Sequence, residues 1–191
     1  MRTINKRLII RYTAIFGAVA LAGIAFSGCL FGAPPDVPEQ EPVEMTSPAA
    51  VITNISVAYN QRNIDLYKAA MSSNFVFYFN PADVGQNPPG GSTYVIPESW
   101  TYTEDWQATD RMFQLAYSID LAIPTGSIGE PEEGATTYRA ENVTISLLVM
   151  VDELNGYIAN QGFCDFEFEQ YKNNNGEYRW RLTGWWDNTN T

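Results

Sequence analysis

From Ser47 to the C-terminus the apolar positions change their spacing, and the changes divide the chain into elements. Val51, Ile52, Ile55, Ala58 and Tyr59 recur at helical spacing behind Ser47-Pro48, a capping residue followed by a proline at the first helical position. A polar break at Asn60 to Asn63 precedes a second, short helix, capped by Asn63 and carrying Leu66, Tyr67 and Met71 on its inner side. Behind Ser72-Ser73-Asn74 the run Phe75-Val76-Phe77-Tyr78-Phe79 predicts an aromatic strand. A loop containing Asn87-Pro88-Pro89-Gly90-Gly91 follows, and a short strand is expected at Tyr94 to Ile96. Thr101 and Glu104 stand at capping-box spacing and open a third helix, with Trp106, Thr109 and Phe113 on one stripe.

Beyond this helix the period is two. Tyr117, Ile119, Leu121 and Ile123 alternate, as do Val143, Ile145, Leu147, Val149 and Val151. Cys164, Phe166 and Phe168 alternate with Asp165, Glu167 and Glu169, the signature of a half-buried strand. Asn173-Asn174-Asn175-Gly176 turns the chain into a last strand, Tyr178 to Trp186, and side-chain parity fits a three-residue loop with Gly176 left-handed. That register sets Glu169 opposite Arg181 and Phe168 opposite Leu182, charges on one face and apolar groups on the other. Helices segregated to one side of an antiparallel sheet give an α+β domain.

The N-terminus reads differently. Arg2, Lys6, Arg7 and Arg11 precede an apolar stretch from Tyr12 to Phe26, which ends in Ser27-Gly28-Cys29. A basic start, an apolar middle and small residues before a cleavage point are the layout of a secretory signal. The stretch falls short of the ~20 residues that span hydrocarbon as a helix. Phe26-Ser27-Gly28-Cys29 resembles the lipobox of bacterial lipoproteins, with Phe where Leu is usual. The resemblance implies removal of residues 1–28, acylation of Cys29 and a lipid-anchored place in the bacterial cell envelope. With Leu30 rather than Asp after the cysteine, it favours the outer membrane where the host has one. Two or more acyl chains, at ~0.8 kcal/mol per buried CH₂, make a stable anchor. Residues 29–47, with Pro34, Pro35, Pro38 and Pro42 among Asp36, Glu39, Glu41 and Glu44, read as an extended tether. At ~3.1 Å per residue it reaches up to ~55 Å. With no repeat and no second linker visible, residues 48–191 are one domain.

Charge narrows the partners. The chain carries a formal charge of −11. Loss of the four basic signal residues leaves seven Lys and Arg against 22 Asp and Glu, or −15. Such a surface repels a phosphate backbone, so nucleic acid is excluded as a partner, and an anionic membrane would have to be held through acyl chains. His is absent, which removes the side chain most used for proton transfer near neutral pH. Once Cys29 is acylated, Cys164 has no partner in the chain and reads as a small buried hydrophobe. No metal-ligand spacing and no phosphate cradle is present, so neither metal nor cofactor is expected.

The run Asn60-Gln61-Arg62-Asn63-Ile64-Asp65 between two helices, the Phe75-to-Phe79 strand and the closing Trp180-Arg181-Leu182-Thr183-Gly184-Trp185 resemble the nuclear transport factor 2-like superfamily over residues 48–188. The resemblance implies a curved sheet wrapped around the N-terminal helices, a cone with a pocket. Such domains serve as isomerases, dehydratases, cyclases, binding modules or dimerisation modules, so fold does not settle function. Tyr59, Phe77, Trp106, Tyr117, Phe166 and Trp180 are the expected lining of the cone, able to hold a flat or apolar ligand. The first functional reading is non-catalytic binding of a small apolar molecule or a protein partner. The second is an isomerase- or dehydratase-type enzyme with an Asp base beside a Tyr, the best-placed acid being Asp120. The third is a structural module whose outer sheet face pairs with a second copy.

Overall fold

The structure, a computed structural model, describes residues 40–88 and 93–189, apart from the side chains of residues 157–161. The signal, Cys29 and the first part of the tether lie outside the described residues. Helix α1 spans Pro48–Gln61 and α2 Ile64–Ala70; strands β1, Met71–Tyr78, and β2, Ser99–Thr101, precede α3, Tyr102–Leu115. Five more elements complete the sheet side: β3, Ser118–Ala122, a 3₁₀ turn at Thr125–Ser127, β4, Thr137–Met150, β5, Gly156–Lys172, and β6, Tyr178–Asp187. All six strands join one sheet in the order β2-β1-β6-β5-β4-β3.

The capping residues act as the sequence predicts. Ser47 Oγ accepts from Ala50 N at 3.2 Å, and Asn63 Oδ1 accepts from Leu66 N at 3.0 Å. Thr101 and Glu104 form the reciprocal box at the start of α3. The break between α1 and α2 also docks a distant strand. Asn60 clamps both backbone groups of Leu121 (2.6 Å from its N–H, 3.2 Å to its carbonyl), and Arg62 donates to Ala116 O at 3.0 Å. The outer strand β3 is thereby tied to the first helix.

Two expectations shift. The short strand lies at Ser99–Thr101 rather than Tyr94 to Ile96, pairing antiparallel with Val76, Phe77 and Tyr78. The sheet is mixed: β1 runs parallel to β6, while every other pairing is antiparallel. A chain that enters through β1 and returns through β6 after one helix, a 3₁₀ turn and four strands has no constraint from a hairpin to set that pair antiparallel.

The β5–β6 hairpin keeps the expected register, Glu169 opposite Arg181 and Phe168 opposite Leu182, around Gly176 at φ +79°. A bulge at Thr183 then reverses the parity of β6. Trp180 and Leu182 point inward before it, Trp185 and Asp187 after it, and Trp186 is turned to the outer face. A second bulge, between Ala140 and Val143, holds Asn142 left-handed at φ 55°, and Asp165 Oδ1 accepts its N–H at 2.8 Å.

The segment 40–47, expected to belong to a free tether, lies against the domain. Asn54, 2% exposed in α1, holds both backbone groups of Val43 at 2.9 and 2.8 Å. Met45 O accepts from Trp180 N at 2.8 Å and so covers the stretch of β6 that β1 does not reach. An unpaired strand edge is the physical reason for this strap.

Candidate functional site

The interior of the cone is filled by rings. Val51, Ile52, Ile55, Ala58 and Tyr59 of α1 are fully buried against the sheet. Tyr59 meets Tyr67 edge-on at 5.4 Å and Phe113 at 5.2 Å. A second set gathers on the sheet: Trp185 packs edge-on against Phe77 at 5.9 Å and Phe166 at 5.0 Å, and Phe79 against Trp100 at 4.7 Å. Of the six residues expected to line a pocket, Tyr59, Phe77, Phe166 and Trp180 are therefore core, each at most 5% exposed. Trp106 is half-buried on the outer side of α3, with Lys68 Nζ 4.7 Å from its ring. Tyr117 is half-buried just before β3, its N–H donating to Met150 O.

The acid that lies among these rings is Asp105, not Asp120. Asp120 is exposed, paired with Leu148 on the outer face of β3. The buried stripe of α3 is Asp105, Thr109, Met112 and Phe113, one residue out of step with Trp106. Asp105 is 1% exposed, and its Oδ2 accepts from Tyr67 Oη at 2.8 Å. Its Oδ1 is buried and accepts no hydrogen bond among the described residues. Burial pushes the carboxyl up to about 7, and the bond from Tyr67 opposes this only in part. Burial first, and the Asp105 charge second, hold the Tyr59 and Tyr67 hydroxyls well above their ordinary value, so both stay protonated donors. Thr109, one turn after Asp105, stands beside the Tyr59 hydroxyl. Cys164 is buried as expected, and its thiol is pushed up by that burial.

A second feature lies at the rim, where the C-terminal ends of β1 and β6 meet the turn after β1. Tyr78, Phe79, Pro81, Val84, Glu98, Trp186, Asp187 and Asn188 line a cavity of about 430 Å³. None of the six expected lining residues takes part. The bulge at Thr183 creates this wall by turning Trp186 outward, where it stacks on Tyr78 at 4.7 Å and 6°. Arg139 from β4 lies 4.2 Å from the centre of the same ring and is paired with Asp165 at 3.0 Å and Glu141 at 3.5 Å. Gly184 makes room: a Cβ there would run into the six-membered ring of Trp186. Asp187 is 8% exposed, and its Oδ1 accepts from Thr189 N at 3.0 Å. Burial raises its pKa, and the nearby Asp83 carboxylate adds to the rise. Glu98 is exposed at the mouth, its carbonyl accepting from Phe79 N at 3.0 Å. Among the described residues no group of three or more acids or cysteines is placed to hold a metal ion, and no helix is long and apolar enough to cross a membrane.

No family model and no curated protein matches the sequence. Several solved structures are similar to this chain at low identity. A candidate calcium/calmodulin-dependent protein kinase type II association domain from Thiobacillus denitrificans is 12% identical, over 79% of this chain and 100% of that one, with a TM-score of 0.49. A candidate scytalone dehydratase from Novosphingobium aromaticivorans is 8% identical, over 74% and 80%, with a TM-score of 0.47. RV0760c from Mycobacterium tuberculosis, in complex with estradiol-17β-hemisuccinate, is 13% identical, over 76% and 95%, with a TM-score of 0.44. The chemistry rests on this chain's own residues.

Proposed function

We propose that the chain is a lipid-anchored envelope protein whose domain binds a small, largely apolar molecule in the rim cavity, without catalysis. The observation that carries the reading is the cavity itself, about 430 Å³ walled by Tyr78, Phe79, Pro81, Val84 and Trp186. That volume lies in the range of small-molecule sites, and the mix of apolar walls with a few polar groups is their usual composition. Two further features support it. The walls are built on two strand ends whose rings hold one another, Phe79 against Phe77 at 4.9 Å and Tyr78 against Trp186, so the site is formed without a ligand. The basic, apolar and small-residue pattern of residues 1–28 ending in Cys29 supports the anchor.

Titration of the full chain with N-phenyl-1-naphthylamine, a neutral probe that brightens in apolar surroundings, tests the reading. One saturable site is expected, and Val84→Trp, which fills the cavity, should remove it. Binding that persists unchanged in that variant contradicts the assignment.

A second reading is favoured by Asp105. A carboxyl titrating near 7 beside the hydroxyl of Tyr67 has the components of an acid–base site, with the tyrosines as donors to a developing oxyanion. It is 1% exposed behind Tyr59, Tyr67 and Phe113, so a substrate reaches it only if the helices part. The rim cavity is preferred because it is open as it stands. The dimer reading called for a broad apolar outer sheet face. That face instead carries Arg139, Glu141, Asp165, Glu169 and Arg181 in ion pairs.

A further inference from the structure

The polar groups of the rim cavity carry charge of a single sign. Among the described residues its lining contains two acidic residues, Glu98 and Asp187, one amide, Asn188, and no Lys or Arg. Arg139 is the nearby cation, but it lies against the ring of Trp186 and is already paired with Asp165 and Glu141. Trp186 has Tyr78 from β1 and Arg139 from β4 as stacking partners, on the two sides that the strand order dictates.

Asp187 is the unusual member. It sits inside the sheet end beside the buried Cys164, more than nine-tenths covered, with Thr189 N as its hydrogen-bond donor. Burial disfavours its charge, and the carboxylate of Asp83, in the turn after β1, adds to that effect. A carboxylate that is largely desolvated beside another negative charge is costly to ionise. A cation placed there relieves both costs at once. A hydrated metal ion is a poor occupant, because most of the wall is aromatic and aliphatic and offers too few oxygens. A molecule with one charged end and an apolar body satisfies both parts of the lining.

We propose that the rim cavity selects an organic cation, a small molecule that joins a ring-sized apolar body to a single ammonium group. Tyr78, Phe79, Pro81 and Val84 cover the body, and Asp187 and Glu98 receive the ammonium, Glu98 from the open side. This deepens the binding function proposed above and rests on it.

A charge series of matched size provides the test: 2-phenylethylammonium, 2-phenylethanol and phenylacetate, titrated calorimetrically into the full chain. The cation should bind at least tenfold more tightly than the alcohol, and phenylacetate most weakly. Glu98→Gln and Asp187→Asn should each reduce the ratio of cation to alcohol affinity by threefold or more. Glu98 is exposed, so its variant remains informative should Asp187→Asn unfold. Equal binding of cation and alcohol overturns the charge preference while the apolar site stands. A preference unchanged in both variants places the ammonium elsewhere and also overturns it. Binding of none of the three overturns this inference and the binding function together.

Discussion

Asp105 shows what a single buried carboxyl does to a fold. Its ordinary value of 3.8 rises to about 7 in the folded chain, so between those limits the folded state holds a proton that the unfolded state has released. Stability contributed by that proton is complete below about pH 4, declines as pH rises toward 7, and is lost above it. Asp105→Asn removes the ionisation, so its urea-melt stability should lack that decline and exceed the native chain's at pH 8. A native chain whose stability is unaffected by the substitution between pH 4 and 8 would refute the assignment. Trp180 and Arg181 give a second comparison on adjacent residues. Trp180 is 5% exposed, so Trp180→Ala should cost ~3–5 kcal/mol. Arg181, paired with Glu169 at 2.7 Å on the half-exposed face, should cost less than ~1 kcal/mol when cut to Ala. Parity in the sequence placed both correctly. It missed Asp105 because helical spacing admits two neighbouring stripes, and the large apolar Trp106 drew the choice away from the residue beside it. The signal was present: Asp105, Thr109, Met112 and Phe113 also lie at i, i+4, i+7 and i+8.

Among elements, the caps, the third helix and the long hairpin were legible because each has local chemistry that fixes it. Ser47-Pro48, Asn63, the Thr101–Glu104 box and the turn at Gly176 need no distant partner. The bulge at Thr183 had no such mark, and it decides which of two adjacent tryptophans lines the rim. Gly184 is its visible companion. Gly184→Ala should displace the Trp186 ring from its stack on Tyr78, cost ~1–3 kcal/mol in a urea melt and weaken binding in the cavity. The strap was illegible for a different reason: its prolines and acids suit a solvated tether, and its attachment comes from the backbone. Asn54→Ala removes both bonds to Val43 and should cost ~1–3 kcal/mol, because Asn54 is buried and the Val43 groups lose their partner. A change below a few tenths of a kcal/mol would mean that the strap is dispensable.

For the whole molecule, the strap and the cavity lie at opposite ends of β6. Met45 meets that strand at Trp180, and the cavity is walled by Trp186, Asp187 and Asn188. Cys29→Ala should abolish incorporation of a fatty-acid analogue and leave unprocessed precursor; equal labelling of the variant would remove the anchor from this picture. The helices-then-sheet order was readable from period changes along the chain, whereas the parallel β1–β6 pair and the rim cavity it builds arise from contacts across more than a hundred residues. The central claim is that the rim, not the interior, is the binding site. Amide chemical-shift mapping of the full chain with N-phenyl-1-naphthylamine tests it most directly. Shifts concentrated at Tyr78, Phe79, Val84 and Trp186 to Asn188 are expected. Shifts centred on Tyr59, Tyr67, Asp105 and Thr109 would contradict it and place the ligand within the cone.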